Sequence, residues 1–388
     1  MIPSFPIPLS GERFRVVYRL IGDEAEAREK ARDICLEQTV EFPADLIPEG
    51  EIREQIIGRV EVFEARGEGH WEVVISYAVE TSGFELAQLL NVIFGNTSLK
   101  PGVRVERLEM PEALLSAFKG PRFGRAGWRA RLDAPERPLF CTALKPMGLP
   151  PRALADLAYQ FALGGIDIIK DDHGLADQPF APFKERVELC AEAVARANRE
   201  SGQKCIYMPN VTGPVDKVRD NALFAKEAGA GGLLISSGLT GLDMMRRLAD
   251  DDRIVLPIMT HPALQGSFVT RPDEGISHYA LFGQIARLAG ADASIFPNYG
   301  GRFSFSREDC RRIAEGTAAP MGHLKPIFPT PGGGMSLARV PEMLDLYGRE
   351  VIFLIGGGLH KHGPDLAESC RYLRQLVGNM AAVSGERR

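Results

Sequence analysis

A chain of 388 residues has room for about two domains at roughly 100–200 residues each, and its 45% hydrophobic and 25% charged content is that of a globular protein whose core needs no disulfide or metal. The net charge of −5 argues against a basic nucleic-acid face, and apolar runs such as Val351–Ile355 fall far short of the roughly 20 residues a membrane helix needs. The 41 glycines and 27 prolines exclude an all-helical bundle, and six scattered cysteines with no C-x-x-C pair exclude a zinc ribbon and point to reduced thiols. Met1-Ile2-Pro3-Ser4 has neither the charged nor the apolar region of a secretory leader, so a cytoplasmic protein is expected, with no nucleic-acid or membrane partner.

In chain order, Arg13–Arg19 reads as a strand and Glu24–Leu36 as a charged amphipathic helix. Gly58–Glu64 and Trp71–Val79 read as a hairpin about Gly67-Glu68-Gly69. Phe84–Phe94 reads as a helix and Val103–Glu109 as a closing strand. The order β-α-β-β-α-β predicts a ferredoxin-like α+β domain over residues 1–125. Residues 111–136, rich in Pro, Gly and Arg, read as a linker. Eight short apolar runs follow: Leu139–Leu144, Ile166–Lys170, Lys204–Met208, Gly232–Ser236, Ile254–Met259, Ala293–Phe296, Pro326–Pro329 and Val351–Ile355. Helical patterns lie between them, among them Arg152–Ala162, Phe183–Asn198, Val215–Glu227, His278–Ala289 and Val340–Tyr347. Short strands that are apolar on both faces and alternate with helices are parallel and doubly covered. Eight units in about 250 residues predict a (β/α)8 TIM barrel over 126–388, with a doubly wound open sheet as the alternative.

Such barrels do their chemistry at the C-terminal ends of the strands. Those ends carry Lys145, then Lys170-Asp171-Asp172-His173, Thr260-His261, Arg302, Gly332-Gly333-Gly334 and Gly356-Gly357-Gly358. Side chains alternate along a strand, so Lys170 and Asp172 point together into the mouth. A lysine beside carboxylates is often only a structural ion pair. A carboxylate with a modified lysine would instead suit Mg²⁺, although the imidazole of His173 suits Zn, Fe or Ni better. Glycine lets backbone N–H groups approach an anion, and the loops after strands 7 and 8 are the usual barrel phosphate site. Tight turns are the plainer reading of each triplet taken alone. Arg302 on its Gly-rich loop is a candidate lid, or simply an exposed arginine.

These residues resemble the large subunit of ribulose-bisphosphate carboxylase, and more closely its non-carboxylating relatives, the RuBisCO-like proteins. The resemblance rests on Gly164-Gly165-Ile166-Asp167-Ile168-Ile169-Lys170-Asp171-Asp172, on Thr142-Ala143-Leu144-Lys145-Pro146, and on Phe94-Gly95-Asn96 with Lys119-Gly120-Pro121-Arg122-Phe123-Gly124. It runs from about residue 13 to 375. It implies that CO₂ carbamylates Lys170, and that the carbamate, Asp172 and His173 ligate Mg²⁺. It implies that Lys145 moves protons at the enolisable carbon and that His261 is the active-site histidine of strand 5. Gly332, Gly333, Gly334, Gly357 and Gly358 would hold a substrate phosphate, with Asn96 and Arg302 as further substrate contacts. Glu37 would reach into a neighbouring subunit's site, which implies a homodimer.

The departures from the family pattern bear most on function. Met147 replaces the second lysine of the strand 1 motif, and His173 replaces the glutamate ligand. Pro262 replaces an arginine, Phe296 falls where a histidine is expected, and Gly332 stands in place of a serine. The lysine of the loop after strand 6 is absent, with Arg302 nearest. A carboxylase needs that lysine to stabilise the carboxylated intermediate, an electrostatic effect of several kcal/mol. The expectation is therefore a Mg²⁺-dependent enzyme with no CO₂ fixation that enolises a phosphorylated ketose or oxo-sugar acid, with isomerisation as the outcome. A transcarboxylase or hydrolase of a 3-oxo sugar-acid phosphate uses the same enolate. A regulatory scaffold without catalysis is the reading of another class.

Overall fold

The computed structural model describes residues 7–385, so the leader reading at Met1–Ser4 lies outside the described residues. In the N-terminal domain, β1 (Arg13–Ile21) lies antiparallel between β3 (His70–Ala78) and β4 (Val103–Glu109), and β2 (Arg59–Ala65) pairs with the far edge of β3. Phe14, Val16, Tyr18 and Leu20 alternate onto the covered face. Helices Glu24–Glu37 and Leu86–Phe94 cover it with Ala27, Ala31, Ile34, Leu89 and Val92. The first helix starts where Asp23 begins a capping box: its Oδ1 accepts the Glu26 N–H (2.9 Å) and the Glu26 carboxylate accepts the Asp23 N–H (3.0 Å).

The second unit is a (β/α)8 barrel. Its strands are β5 (Leu139–Leu144), β6 (Ile168–Asp171), β7 (Ile206–Met208), β8 (Leu233–Ile235), β9 (Ile258–Thr260), β11 (Ala293–Pro297), β12 (Phe328–Gly332) and β13 (Ile352–Leu354), all parallel where they pair. Two four-stranded ladders result, β13-β5-β6-β7 and β12-β11-β9-β8. A parallel bridge between Asn210 and Leu234 joins β7 to β8. Leu139, Cys141, Ile168, Ile206, Met208, Leu234, Met259, Ile295, Phe328 and Ile352 fill the interior.

Several expectations needed correction. The presumed linker 111–136 contains helices Glu112–Leu115 and Gly124–Leu132, and the second of these drives Trp128, fully buried, into the barrel's interior cluster. Ile254–Met259 is a strand only from Ile258; Val255 takes a left-handed φ of 48°, which breaks the run. Lys204–Met208 is a strand only from Ile206. Strand 7 starts at Phe328 rather than Pro326 and absorbs Gly332 as its last residue. The expected helix His278–Ala289 winds in wide π-type turns over Ala280–Ile285, where a Cβ on Gly283 would lie 2.4 Å from the Gly316 backbone. An element with no expectation behind it is β10 (Gly275–Ile276), a barrel segment that adds a parallel fifth strand to the N-terminal sheet beside β4. No described helix is long and apolar enough to cross a membrane.

Candidate active site at the barrel mouth

Lys170 on β6 and Asp172, the first residue past its end, point to the same inward side, as alternation requires. Lys170 is 2% exposed, and its Nζ donates to the Asp171 carbonyl at 3.1 Å. Burial, helped by Lys145, favours its neutral amine, against the pull of Asp172. At the end of β5, Lys145 extends its half-exposed ammonium to Asp172 Oδ1 at 2.6 Å. His173 Nδ1 lies 3.2 Å from the same oxygen. Burial would push the Asp172 carboxyl up. Hydrogen bonds from His173 and Lys145, with the charges of Lys145 and Lys170, instead hold it well below the carboxylate range. Asp171 points the other way, where Arg186 (3.1 Å) and Tyr207 (2.7 Å) take up its carboxylate, so it is structural.

Beyond β9, His261 stacks on His173, with ring centroids 4.0 Å apart and planes within 8°. Nothing in the sequence signalled this pair. Burial, with Lys170 and His173 nearby, pushes the His261 imidazole down to about 2. Its Nδ1 accepts the Ala263 N–H at 3.2 Å, so the neutral ring carries its hydrogen on Nε2.

The glycine loops meet each other. Gly333 (φ 82°) and Gly334 (φ 95°) take left-handed backbone that disfavours any side chain. A Cβ on Gly358 would lie 2.7 Å from the Met335 carbonyl, whereas one on Gly357 would meet open space. Gly332 packs under Leu354, and its carbonyl accepts the Asn298 N–H at 2.8 Å. Arg302 follows β11, and its guanidinium lies 5.1 Å from the Phe303 ring, which in turn covers Gly333. Gly357 and Gly358 open a six-residue helix ending at His362 rather than a loop.

Glu37 and Asn96 sit elsewhere. They bond to each other, Asn96 Nδ2 donating to Glu37 Oε1 at 3.0 Å, in the N-terminal domain. Among the described residues, none of their hydrogen bonds reaches this chain's own barrel mouth.

No group of three His, Cys, Asp or Glu side chains is spaced to hold a metal ion among the described residues. The donor chemistry nevertheless fits a divalent cation once Lys170 is carbamylated: its buried, neutral-leaning amine is the form that reacts with CO₂. The product adds carboxylate oxygens beside Asp172.

Fold and mouth together define a (β/α)8-barrel protein with an α+β N-terminal domain and a lysine–aspartate site at the strand ends. The model of the family described as ribulose bisphosphate carboxylase large chain, catalytic domain, matches residues 125–300. The 5-methylthioribulose-1-phosphate isomerase of Rhodospirillum rubrum is 42% identical over 375 residues, spanning 96% of this chain and 97% of that one. A ribulose bisphosphate carboxylase-like protein of Rhodopseudomonas palustris is 41% identical over 369 residues, 95% of this chain and 98% of its own. A crystal structure of a Rubisco-like protein from Rhodopseudomonas palustris superposes with a TM-score of 0.86 at 38% identity, covering 95% of this chain and 98% of that one. The chain belongs to the ribulose bisphosphate carboxylase large-chain family, and within it to the RuBisCO-like proteins.

Proposed function

We propose that this chain enolises a phosphorylated ketose and isomerises it, without fixing CO₂. The observation that carries the reading is Lys145 paired to Asp172 above the buried Lys170 amine, one strand from two abutting glycine loops: β13, which leads into Gly357, pairs directly with β5. A substrate phosphate on the N–H groups of Gly333, Gly334, Gly357 and Gly358 would lay its carbonyl carbon across Lys145. As the free amine Lys145 takes the proton next to the carbonyl and becomes the ammonium; that ammonium, which the Asp172 carboxylate at 2.6 Å would stabilise, returns the same proton to the neighbouring carbon. His261, neutral with Nε2–H free, serves as a hydrogen-bond donor to a substrate oxygen. Lys170 as carbamate, Asp172 and His173 would hold Mg²⁺, which when bound polarises the carbonyl and stabilises the enediolate. Against carboxylation stand the missing loop lysine and an Arg302 turned onto Phe303.

The name of the Rhodospirillum relative suggests the substrate to try first, 5-methylthioribulose 1-phosphate. In D₂O with Mg²⁺ and bicarbonate, the expected result is deuterium at the carbon next to the carbonyl and a new isomer by NMR. Carbon–carbon cleavage of a 3-oxo sugar-acid phosphate would favour the transcarboxylase or hydrolase reading. Absence of exchange with every sugar phosphate, and of Mg²⁺ binding, would favour the scaffold. Carboxylation of ribulose bisphosphate would overturn the exclusion of CO₂ fixation. The half-exposed Glu37–Asn96 pair, with Leu99 85% exposed beside it, supports a homodimer in which each chain completes the other's mouth; the six free cysteines support a reducing compartment such as the cytoplasm.

A further inference from the structure

The His173 side chain is 42% exposed; among the described residues its ring makes a polar contact with Asp172 and stacks on the face of His261, with no other polar or ring partner. Its placement therefore depends on its backbone, and one residue of the next strand end grips that backbone on both sides of Gly174. Asn210, 1% exposed just beyond β7, donates from Nδ2 to the His173 carbonyl (3.0 Å) and to the Leu175 carbonyl (2.8 Å). The orientation of its amide is determined. The Thr212 hydroxyl accepts the Ser236 N–H at 2.8 Å, so its own hydrogen goes to Asn210 Oδ1 at 2.6 Å. Oδ1 also accepts the Thr212 N–H at 3.2 Å. The Asn210 backbone N–H donates to Asp171 Oδ2 at 3.0 Å, and Asp171 is itself fixed by Arg186 and Tyr207. Both amide hydrogens and the amide oxygen are thus spent on two adjacent strand ends. An asparagine that served packing alone would not need two carbonyls of the segment that carries the site histidine.

We propose that Asn210 is a positioning residue that sets the His173–His261 stack by clamping the His173–Leu175 backbone. The inference rests on His173 belonging to the site and not on the reaction proposed for it, so failure of the isomerase assay leaves its test intact. The test is NMR of the full-length protein labelled at its 7 histidine rings, with the two signals assigned through His173→Gln and His261→Gln. Stacked rings shift each other's ring protons upfield. In Asn210→Ala and in the isosteric Asn210→Asp, which turns both donors into acceptors facing carbonyls, that upfield displacement is lost at both histidines. The other five signals stay in place. Thr212→Val leaves both donors but frees the amide to rotate, and the expected result is partial loss. A purely structural role would lower the melting temperature and leave the ring signals where they are. Ring signals unchanged in Asn210→Asp and in Thr212→Val, or an absent upfield displacement in the parent, would overturn the proposal.

Discussion

Asp167, at the foot of β6, offers a measurable test of what holds the lysine-bearing strand in place. It is 5% exposed and receives Arg137 through two hydrogen bonds of 2.7 and 2.6 Å, while its Oδ2 also accepts the Phe140 N–H of β5 at 2.8 Å. Asp167→Ala removes a bidentate charged pair, worth about 1.5–3 kcal/mol for bonds to charged groups, and strands a buried N–H at about 1–3 kcal/mol. The expected destabilisation is about 2.5–6 kcal/mol. Asp167→Asn keeps an acceptor for Phe140 and should cost about half as much. The chain has two tryptophans, and Trp128 sits in the same interior cluster as Leu139 and Ile168. In a Trp71→Phe background its fluorescence therefore reports urea unfolding of the barrel directly. A loss within about 1 kcal/mol for Asp167→Ala would refute the reasoning, as would equal losses for the two variants.

Four further outcomes follow from the same geometry. Lys145→Met should cut deuterium exchange about 10²- to 10⁴-fold, read by NMR, and lower the melting temperature, because it strips a partner from the nearly buried Asp172 carboxylate. Gly358→Ala places a Cβ 2.7 Å from the Met335 carbonyl, so it should prise the glycine loops apart and raise KM roughly 10- to 100-fold in steady-state assays. Burial lowers the His278 imidazole to about 4 against opposing Asp309, so the unfolded chain takes up its proton first as the pH falls. Stability is complete above about 6.5 and falls by on the order of 3 kcal/mol between pH 6.5 and 4, and His278→Phe should flatten that part of a urea-midpoint profile. Glu37→Ala and Lys145→Met proteins, each inactive, should regain about a quarter of parental activity when their subunits are exchanged, because half the pairs are hybrids with one intact site.

Some of this was legible in the sequence and some was not, for reasons visible in particular residues. Period-two alternation placed Lys170 and Asp172 on one side and left Asp171 to the other, as found. Apolar runs buried on both faces located all eight barrel strands, but not their limits. Ile254 and Leu256 are as buried as strand residues while lying ahead of the strand, Ile254 in a turn and Leu256 in irregular chain. The helix carrying Trp128 was hidden by its two glycines and by arginines that satisfy carbonyls at the barrel floor: Arg125 donates to Ile327 and Arg129 to Ala134 and Arg137. A two-residue strand such as β10 has no pattern to read. The His173–His261 stack and the Glu37–Asn96 bond join segments remote in the chain, and no local periodicity encodes such meetings.

The barrel's two ladders have a further consequence. Lys145, Lys170, Asp172 and the approach to Gly357 all ride on β13-β5-β6-β7, whereas His261, Gly333 and Gly334 ride on β12-β11-β9-β8. The Asn210–Leu234 bridge joins the halves on one side. On the other, β12 and β13 meet through Leu354 packed on Gly332, without a ladder among the described residues. A sugar phosphate gripped by lysine at one end and glycine N–H groups at the other would therefore act as a staple across a clamshell. Its binding energy would add to the cohesion of both seams, and the slowing of amide exchange on substrate binding would be concentrated along them rather than spread over the barrel.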